Sequence, residues 1–155
     1  MNINLKNNMT DHLITVPADS GVEKALMVMK NHHIRHLPVL GENKKIVGVV
    51  SDRDLYRGLN SDDIFVSDIM TKDVFKVDIK TNIKVVIESM LKHKFSAVLV
   101  TQDGLVCGFI TSEDLLSLLL KVLDSNEKSP TLLEEAIILL QGFSQTVKNP
   151  NLVSF

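Results

Sequence analysis

The sequence predicts an α/β fold in which a β-α-β-β-α unit occurs twice and is followed by a C-terminal helix. Two observations predict it. The pair Met9-Thr10 recurs 61 positions later as Met70-Thr71, and GVVSDRDL, which begins at Gly48, matches GFITSEDL, which begins at Gly108. Apolar runs, amphipathic stretches and polar turns follow in the same order in both halves, as expected for two copies of one fold. The predicted parts are a first repeat, a linker, a second repeat and a helical extension, at residues 1–58, 59–67, 68–124 and 125–155.

Each repeat opens with a short strand and an amphipathic helix. The strands are predicted at Leu13–Val16 and Val74–Val77. Ser20-Gly-Val-Glu23 has the capping-box pattern of a helix N-terminus, and Thr81 is the matching cap in the second repeat. Apolar residues then follow at the helical spacing i, i+3, i+4, i+7. They are Val22, Ala25, Leu26 and Met29 in the first repeat, and Ile83, Val86, Ile87 and Met90 in the second.

Two apolar strands joined by a polar turn come next in each repeat, followed by a last helix that begins at Ser51 or Thr111. The strands are continuously apolar, so we expect both of their faces to be covered. They are Leu37–Leu40 with Ile46–Val50, and Ala97–Val100 with Leu105–Ile110.

The composition excludes several classes of protein. With 17 basic against 19 acidic residues and only 5% aromatics, the chain lacks the electropositive face of a nucleic-acid binder. Its one cysteine, Cys107, excludes an internal disulfide framework and is expected to be inert core. The longest apolar run, Leu115–Leu123, is far shorter than the roughly 20 residues of a membrane span. We therefore expect a cytoplasmic protein. With no P-loop and no nucleophile–base pair, we also expect no enzyme activity.

Three segments resemble a known family. RHLPV at Arg35–Val39 followed by GVVSDRDL, and GFITSEDL in the second half, are similar to the motifs of a tandem pair of CBS (cystathionine β-synthase) domains, or Bateman module. The resemblance covers about residues 9–124. It implies two repeats packed as a pseudo-twofold pair, with clefts that bind AMP, ADP, ATP or S-adenosylmethionine. It also implies regulation of an attached or partner protein, with no further cofactor.

A ligand site is predicted at the end of the first hairpin. In the family, the Ser and Asp of Ser51-x-x-Asp54 contact phosphate and ribose, and Arg53 adds a charge suited to bidentate phosphate contacts. Ser-x-x-Asp is also an ordinary helix cap, and the two roles are compatible. The predicted ligand-binding residues are Thr15, Val16, Arg35, His36, Leu37, Val50, Ser51, Arg53 and Asp54.

The second repeat is expected to hold a weaker site. Ser96 and Ala97 replace Arg35 and His36, and Glu113 replaces Arg53, which places an acid where a phosphate would lie. This site is expected to be empty or to take an uncharged adenosine-like group. Its predicted residues are Val77, Ser96, Ala97, Ile110, Thr111 and Asp114.

Four of the five histidines lie between His12 and His36. His32 and His36 have the spacing of metal ligands on a helix, but Ile34–Pro38 reads as the exit from the helix into a strand, which favours no metal site. A solvated helix end, or a phosphate or proton role for His36, are the remaining interpretations.

The C-terminal extension contains a second capping-box pattern at Thr131–Glu134, followed by a strongly aliphatic helix to about Thr146. Its apolar face is wider than one small core needs. Two interpretations remain open, a lid on its own module or an interface with a second copy or a partner, and a homodimer is the preferred expectation.

Overall fold

The computed structural model describes residues 3–59 and 63–125. Contacts divide these residues into two compact units, one formed by 11–76 and the other by 3–10 together with 77–125. Each unit carries a three-stranded sheet and the helices of one repeat. The predicted α/β fold with two β-α-β-β-α repeats is confirmed.

In the unit 11–76, the strands lie in the order β1 (Val16–Pro17), β2 (His36–Leu40), β3 (Ile46–Ser51). β1 runs parallel to β2, and β2 runs antiparallel to β3, with His36 opposite Ser51. The helices are α1 (Val22–His32), α2 (Asp52–Gly58) and the short α3 (Val66–Ile69). Because β2 and β3 are antiparallel, the start of β2 and the end of β3 lie at the same end of the sheet.

The second unit repeats this arrangement. Its strands lie in the order β4 (Lys76–Asp78), β5 (Ala97–Gln102), β6 (Leu105–Thr111), and β5 and β6 are antiparallel with Ala97 opposite Thr111. The helices are α4 (Ile83–His93) and α5 (Ser112–Ser125), and α5 is the C-terminal helix of the described residues. The helix predicted at Thr131–Thr146 lies outside them.

The predicted apolar stripes form the helix faces that pack on the sheets. Val22, Ala25 and Met29 are buried, while Leu26 is partly buried against the same core. All four stripe residues of α4 are buried. The periodicity therefore located the buried faces correctly.

The predicted helix caps were wrong by one residue in both repeats. Gly21 is the N-cap of α1 and makes no side-chain capping bond, while Asn82 caps α4 through a 2.9 Å hydrogen bond from Lys84 N to its Oδ1. Ser20 N donates to Pro17 O and Thr81 N donates to Asp78 O. Ser20 and Thr81 therefore lie in turns that precede the helices, so the N-cap of each helix is the residue that follows them.

The repeat begins earlier than the Met-Thr pairs. Leu5 and Val66 are also 61 positions apart, and both are fully buried. Thr10 and Phe109 exchange backbone hydrogen bonds of 2.8 and 2.9 Å, and Thr71 and Val49 do the same at 2.9 and 3.0 Å. Each Met-Thr segment therefore packs on the hairpin of the other repeat, since Thr10 pairs with Phe109 of β6 and Thr71 pairs with Val49 of β3.

Candidate ligand site

The Ser-x-x-Asp motif of the first repeat forms a capping box where β3 becomes α2. Oδ2 of Asp54 accepts hydrogen bonds from Ser51 N at 3.0 Å and from Ser51 Oγ at 2.5 Å. Asp54 N in turn donates to Ser51 Oγ at 3.3 Å. These bonds hold the carboxylate beside the end of the strand, so its position is set before any ligand arrives.

The second repeat builds the same box at the end of β6. Oδ2 of Asp114 accepts from Thr111 N at 2.7 Å and from Thr111 Oγ1 at 2.8 Å, and Asp114 N donates to Thr111 Oγ1 at 3.3 Å. The capping interpretation of both motifs is therefore correct.

Both boxes leave one carboxylate oxygen for other partners. Among the hydrogen bonds of residues 3–59 and 63–125, those of Asp54 and Asp114 use Oδ2 and not Oδ1. A carboxylate oxygen has two lone pairs, so Oδ1 could accept from both hydroxyls of a ribose. Capping and ligand binding thus require different oxygens of the same side chain.

Basic residues lie at the start of β2, beside the strand end that carries Ser51. His36 pairs with Ser51 across the β2–β3 hairpin, and Asp52 N donates to Arg35 O at 2.9 Å. The Arg35 side chain is 60% exposed, and its Nε donates to Asp52 Oδ2 at 2.9 Å. The exposed Arg53 follows in the chain. The predicted basic residues Arg35, His36 and Arg53 therefore all lie at or next to the strand end that carries Ser51.

Asp52 is a functional candidate that does not belong to the ligand-binding residues predicted from the sequence motif. Burial raises the pKa of its carboxyl, but the hydrogen bonds from Arg35 and from Arg53 N, with the positive charges of Arg35 and His36, outweigh burial and hold that pKa below its ordinary value of 3.8. Asp52 is therefore an anion at neutral pH. The predicted hairpin, Leu37–Leu40 with Ile46–Val50, did not reveal this pair, because it became apparent only from the observed pairing of His36 with Ser51.

The apolar members of the predicted ligand-binding residues are buried. Val16, Leu37 and Val50 belong to the core of their unit, each with 1% or less of its surface exposed, whereas Thr15 is half-buried. In the second unit Val77 and Ile110 are buried, Ala97 and Thr111 are half-buried, and Ser96 is exposed. A direct ligand contact by the buried residues stays a prediction.

The second strand end lacks the cations of the first. Ser112 N donates to Ser96 O at 3.0 Å, which repeats the backbone bond between Asp52 and Arg35. The side chains at these positions are two serines instead of a cation and an anion, and Glu113 is exposed beside them. The two ends therefore share their backbone geometry and differ in charge.

The histidines follow the predicted helix exit. α1 ends at His32, and His33 adopts the left-handed C-cap conformation with φ of 53°, so His36 lies on β2 and not one helical turn after His32. No group of three His, Cys, Asp or Glu side chains in the described part of the chain could hold a metal ion. Cys107 is a free thiol that is only half-buried, with Sγ 3.6 Å from Val100 O.

None of the helices within residues 3–59 and 63–125 combines the length and the hydrophobicity that a bilayer crossing needs.

Comparison with protein families gives two matches on this chain. The CBS domain matches residues 3–61 and again residues 66–121, which together cover most of the sequence. The predicted resemblance is confirmed, and the first matched segment begins near Leu5, where the structure also begins the repeat.

Among curated relatives, a homoserine O-acetyltransferase of Methanocorpusculum labreanum is 32% identical over 108 residues, which is 69% of this chain and 22% of that protein. The chain thus spans less than a quarter of the length of the first relatives that it matches.

Two solved structures are similar over most of this chain. One is the CBS domain pair of protein MJ0100 in complex with 5-methylthioadenosine and S-adenosyl-L-methionine, with a TM-score of 0.69 and 28% identity, covering 75% of this chain and 94% of that one. The other is CBSX2 in complex with AMP, with a TM-score of 0.67 and 26% identity, covering 78% and 98%.

Proposed function

Since this chain belongs to the CBS domain family, as a tandem pair, we propose that it is a regulatory module that binds an adenosine-containing ligand of the AMP, ADP or ATP type and signals to a partner protein. The ligand site is the strand end of the first repeat. Ligands of this class are bound by two similar CBS structures, which contain AMP, or 5-methylthioadenosine and S-adenosyl-L-methionine.

The observation that carries the proposal is the capping box of Ser51 and Asp54. It holds a carboxylate at the end of β3 through Oδ2, while Oδ1 is left out of the hydrogen bonds among the described residues. Such an oxygen is a suitable acceptor for ribose hydroxyls, and a charged acceptor makes hydrogen bonds about twice as strong as a neutral one.

The cations beside the box favour a phosphate. Arg35 precedes β2 and Arg53 lies in the first turn of α2, so both belong to segments that meet at the strand end. A guanidinium binds phosphate through two parallel N–H donors, which a lysine cannot reproduce. We expect the phosphate of the ligand on this side and its ribose at Asp54.

The second strand end is proposed to take an uncharged adenosine-like group or to remain empty. Thr111 and Asp114 reproduce the ribose acceptor, but Ser96 and Glu113 provide no cation for a phosphate. The two repeats would then differ in the charge of the ligand that they accept.

Calorimetry of the full chain with AMP, ATP, S-adenosylmethionine and adenosine tests the proposal. The Asp54→Asn side chain keeps an oxygen that can accept the capping-box hydrogen bonds but replaces Oδ1 with an NH₂ group, which donates instead of accepting. We expect AMP affinity to fall about tenfold, because a hydrogen bond to a charged group contributes about 1.5–3 kcal/mol. Asp114→Asn is the matched control and should change AMP affinity less than twofold.

Thermal unfolding supplies the second measurement. A ligand specific for the folded chain raises the melting temperature by mass action. If none of the four compounds raises it at millimolar concentration, the proposed function is wrong.

A second candidate function is an interaction or dimerisation module whose ligand clefts are degenerate. The observation that favours it is the exposure of large apolar side chains on helices, namely Met27 and Tyr56 in one unit and Leu116, Leu120 and Leu123 in the other. Under this alternative the chain self-associates or binds a regulated protein and takes up no nucleotide. A cytoplasmic location and the lack of catalysis stay predictions under both candidates.

A further inference from the structure

The first repeat contains an ion pair that has no counterpart at the equivalent positions of the second repeat. Arg35 and Asp52 are joined by the backbone bond from Asp52 N to Arg35 O at 2.9 Å and by the side-chain bond from Arg35 Nε to Asp52 Oδ2, also at 2.9 Å. At the equivalent positions, Ser112 N donates to Ser96 O at 3.0 Å without any charge. The backbone link is thus common to both repeats, while the ion pair is an addition to the first.

This ion pair lies within the predicted phosphate-binding group. Asp52 stands between Ser51 and Arg53 in the sequence. Its Oδ2 accepts from Arg35 and its Oδ1 accepts from Arg53 N at 2.8 Å. The Asp52 side chain is 26% exposed, so water screens its charge incompletely.

A ligand phosphate that approaches Arg35 therefore finds the guanidinium already bound to the Asp52 carboxylate. A ligand phosphate has to displace Asp52 from Nε or share the guanidinium with it, and in both cases the two negative charges repel each other. An uncharged adenosine meets no such opposition. Asp52 thus reduces the advantage that Arg35 gives to phosphorylated ligands.

We propose that Asp52 is a specificity-determining residue that competes with the ligand phosphate for Arg35 and so lowers the preference of the first repeat for anionic over uncharged adenosine ligands. This inference rests on the proposed function of the same site. It assigns to Asp52 a role distinct from that of Asp54, because Asp54 acts on the ribose and Asp52 on the charge of the ligand.

The test compares Asp52→Asn with the wild-type 155-residue chain by calorimetry, with AMP and adenosine as probes. The amide keeps an oxygen for Arg53 N but removes the charge. We expect AMP to bind about five- to tenfold more tightly to Asp52→Asn, and adenosine to bind within twofold of wild type. When Arg35→Gln is also present, Asp52→Asn should give no gain in AMP affinity over Arg35→Gln alone.

Asp68→Asn is the charge-matched control. The Asp68 carboxylate accepts from Phe65 N at 2.9 Å in the same unit, so this variant changes the net charge equally without touching Arg35. An equal gain of AMP affinity in Asp68→Asn would overturn the inference, since a long-range charge effect would then explain the result.

The two possible failures are distinguishable. If AMP and adenosine bind the wild type but their affinity ratio is the same in Asp52→Asn, the inference is wrong and the proposed function stands. If neither compound binds the wild type or the variant, the proposed function is wrong and the inference falls with it.

Discussion

Gly48 marks a close approach of two backbone segments. A Cβ at this position would lie 2.7 Å from Met70 Sδ and 2.8 Å from Thr71 O, and a Cβ at Gly108 would collide with Met9 Sδ. These two glycines begin the GVVSDRDL and GFITSEDL motifs. These positions of the motif leave no room for a side chain, because the Met-Thr segment of the other repeat packs against the strand there.

Gly48→Ala is predicted to destabilise the protein. The methyl group would meet a backbone carbonyl that cannot rotate away, and such overpacking costs about 1–3 kcal/mol. Urea unfolding followed by circular dichroism should show this loss in the free energy of unfolding. Gly21→Ala is the control, because its Cβ would have 3.6 Å of room to Glu23 Oε2. An equal loss in both variants would contradict the steric explanation.

The nearby carboxylates of Asp54 and Asp52 make different contacts. Both lie in the first turn of α2, but Asp54 faces back to Ser51, while Asp52 reaches across the hairpin to Arg35. The distinction depends on which group each oxygen contacts. It could be predicted for Asp54 from the motif spacing, but Asp52 required the pairing of β2 with β3.

At the scale of elements, the N-terminal segment packs in the unit that contains the sheet of the second repeat. Leu5 is fully buried, and Thr10 extends the pairing of β6 through Phe109. In the first unit, α3 plays this part through the buried Val66, with Val66 N donating to Ser20 O and Ser67 N donating to Ala18 O. Segments before each repeat thus complete the fold of the other one.

Leu5→Ala is predicted to destabilise mainly the second repeat. Removing a buried leucine side chain costs about 2–5 kcal/mol, and Leu5 belongs to the unit that contains β5 and β6. Hydrogen exchange should become faster in β5 and β6 than in β2 and β3. Val66→Ala is the matched variant and should show the opposite distribution. Faster exchange confined to β2 and β3 in Leu5→Ala would contradict this assignment.

At the scale of the whole molecule, one face of α5 carries exposed leucines. Leu116, Leu120 and Leu123 follow one face of α5 at helical spacing, and their exposed fractions are 52%, 61% and 40%. Leu118 and Val122 of the same helix are buried. One face of α5 therefore packs in its unit while another presents apolar surface, which is typical of interfaces.

We predict a dimer that depends on this leucine face. Analytical ultracentrifugation of the wild type at micromolar concentration should show a dimer, and Leu120→Glu should shift it to monomer, because a buried unpaired charge at an interface is costly. Leu105→Glu is the control, since Leu105 is 75% exposed on β6 and off this face. A monomeric wild type, or equal disruption by both variants, would contradict the prediction.

The amino-acid sequence by itself determined the repeat, the order of strands and helices, the buried helix faces and the Ser/Thr-x-x-Asp boxes. All of these depend on residues a few positions apart, so local spacing carries the information. The position of each box at a strand end followed from the same local pattern.

The tertiary structure decided what depends on distant parts of the chain. It packed residues 3–10 against β6 of the second repeat, put Val16, Leu37 and Val50 in the core, and joined Arg35 to Asp52. Each of these results from a contact across a sheet or between segments up to about 100 residues apart, such as Thr10 with Phe109. Local spacing cannot specify such contacts, because they depend on which surfaces fold together.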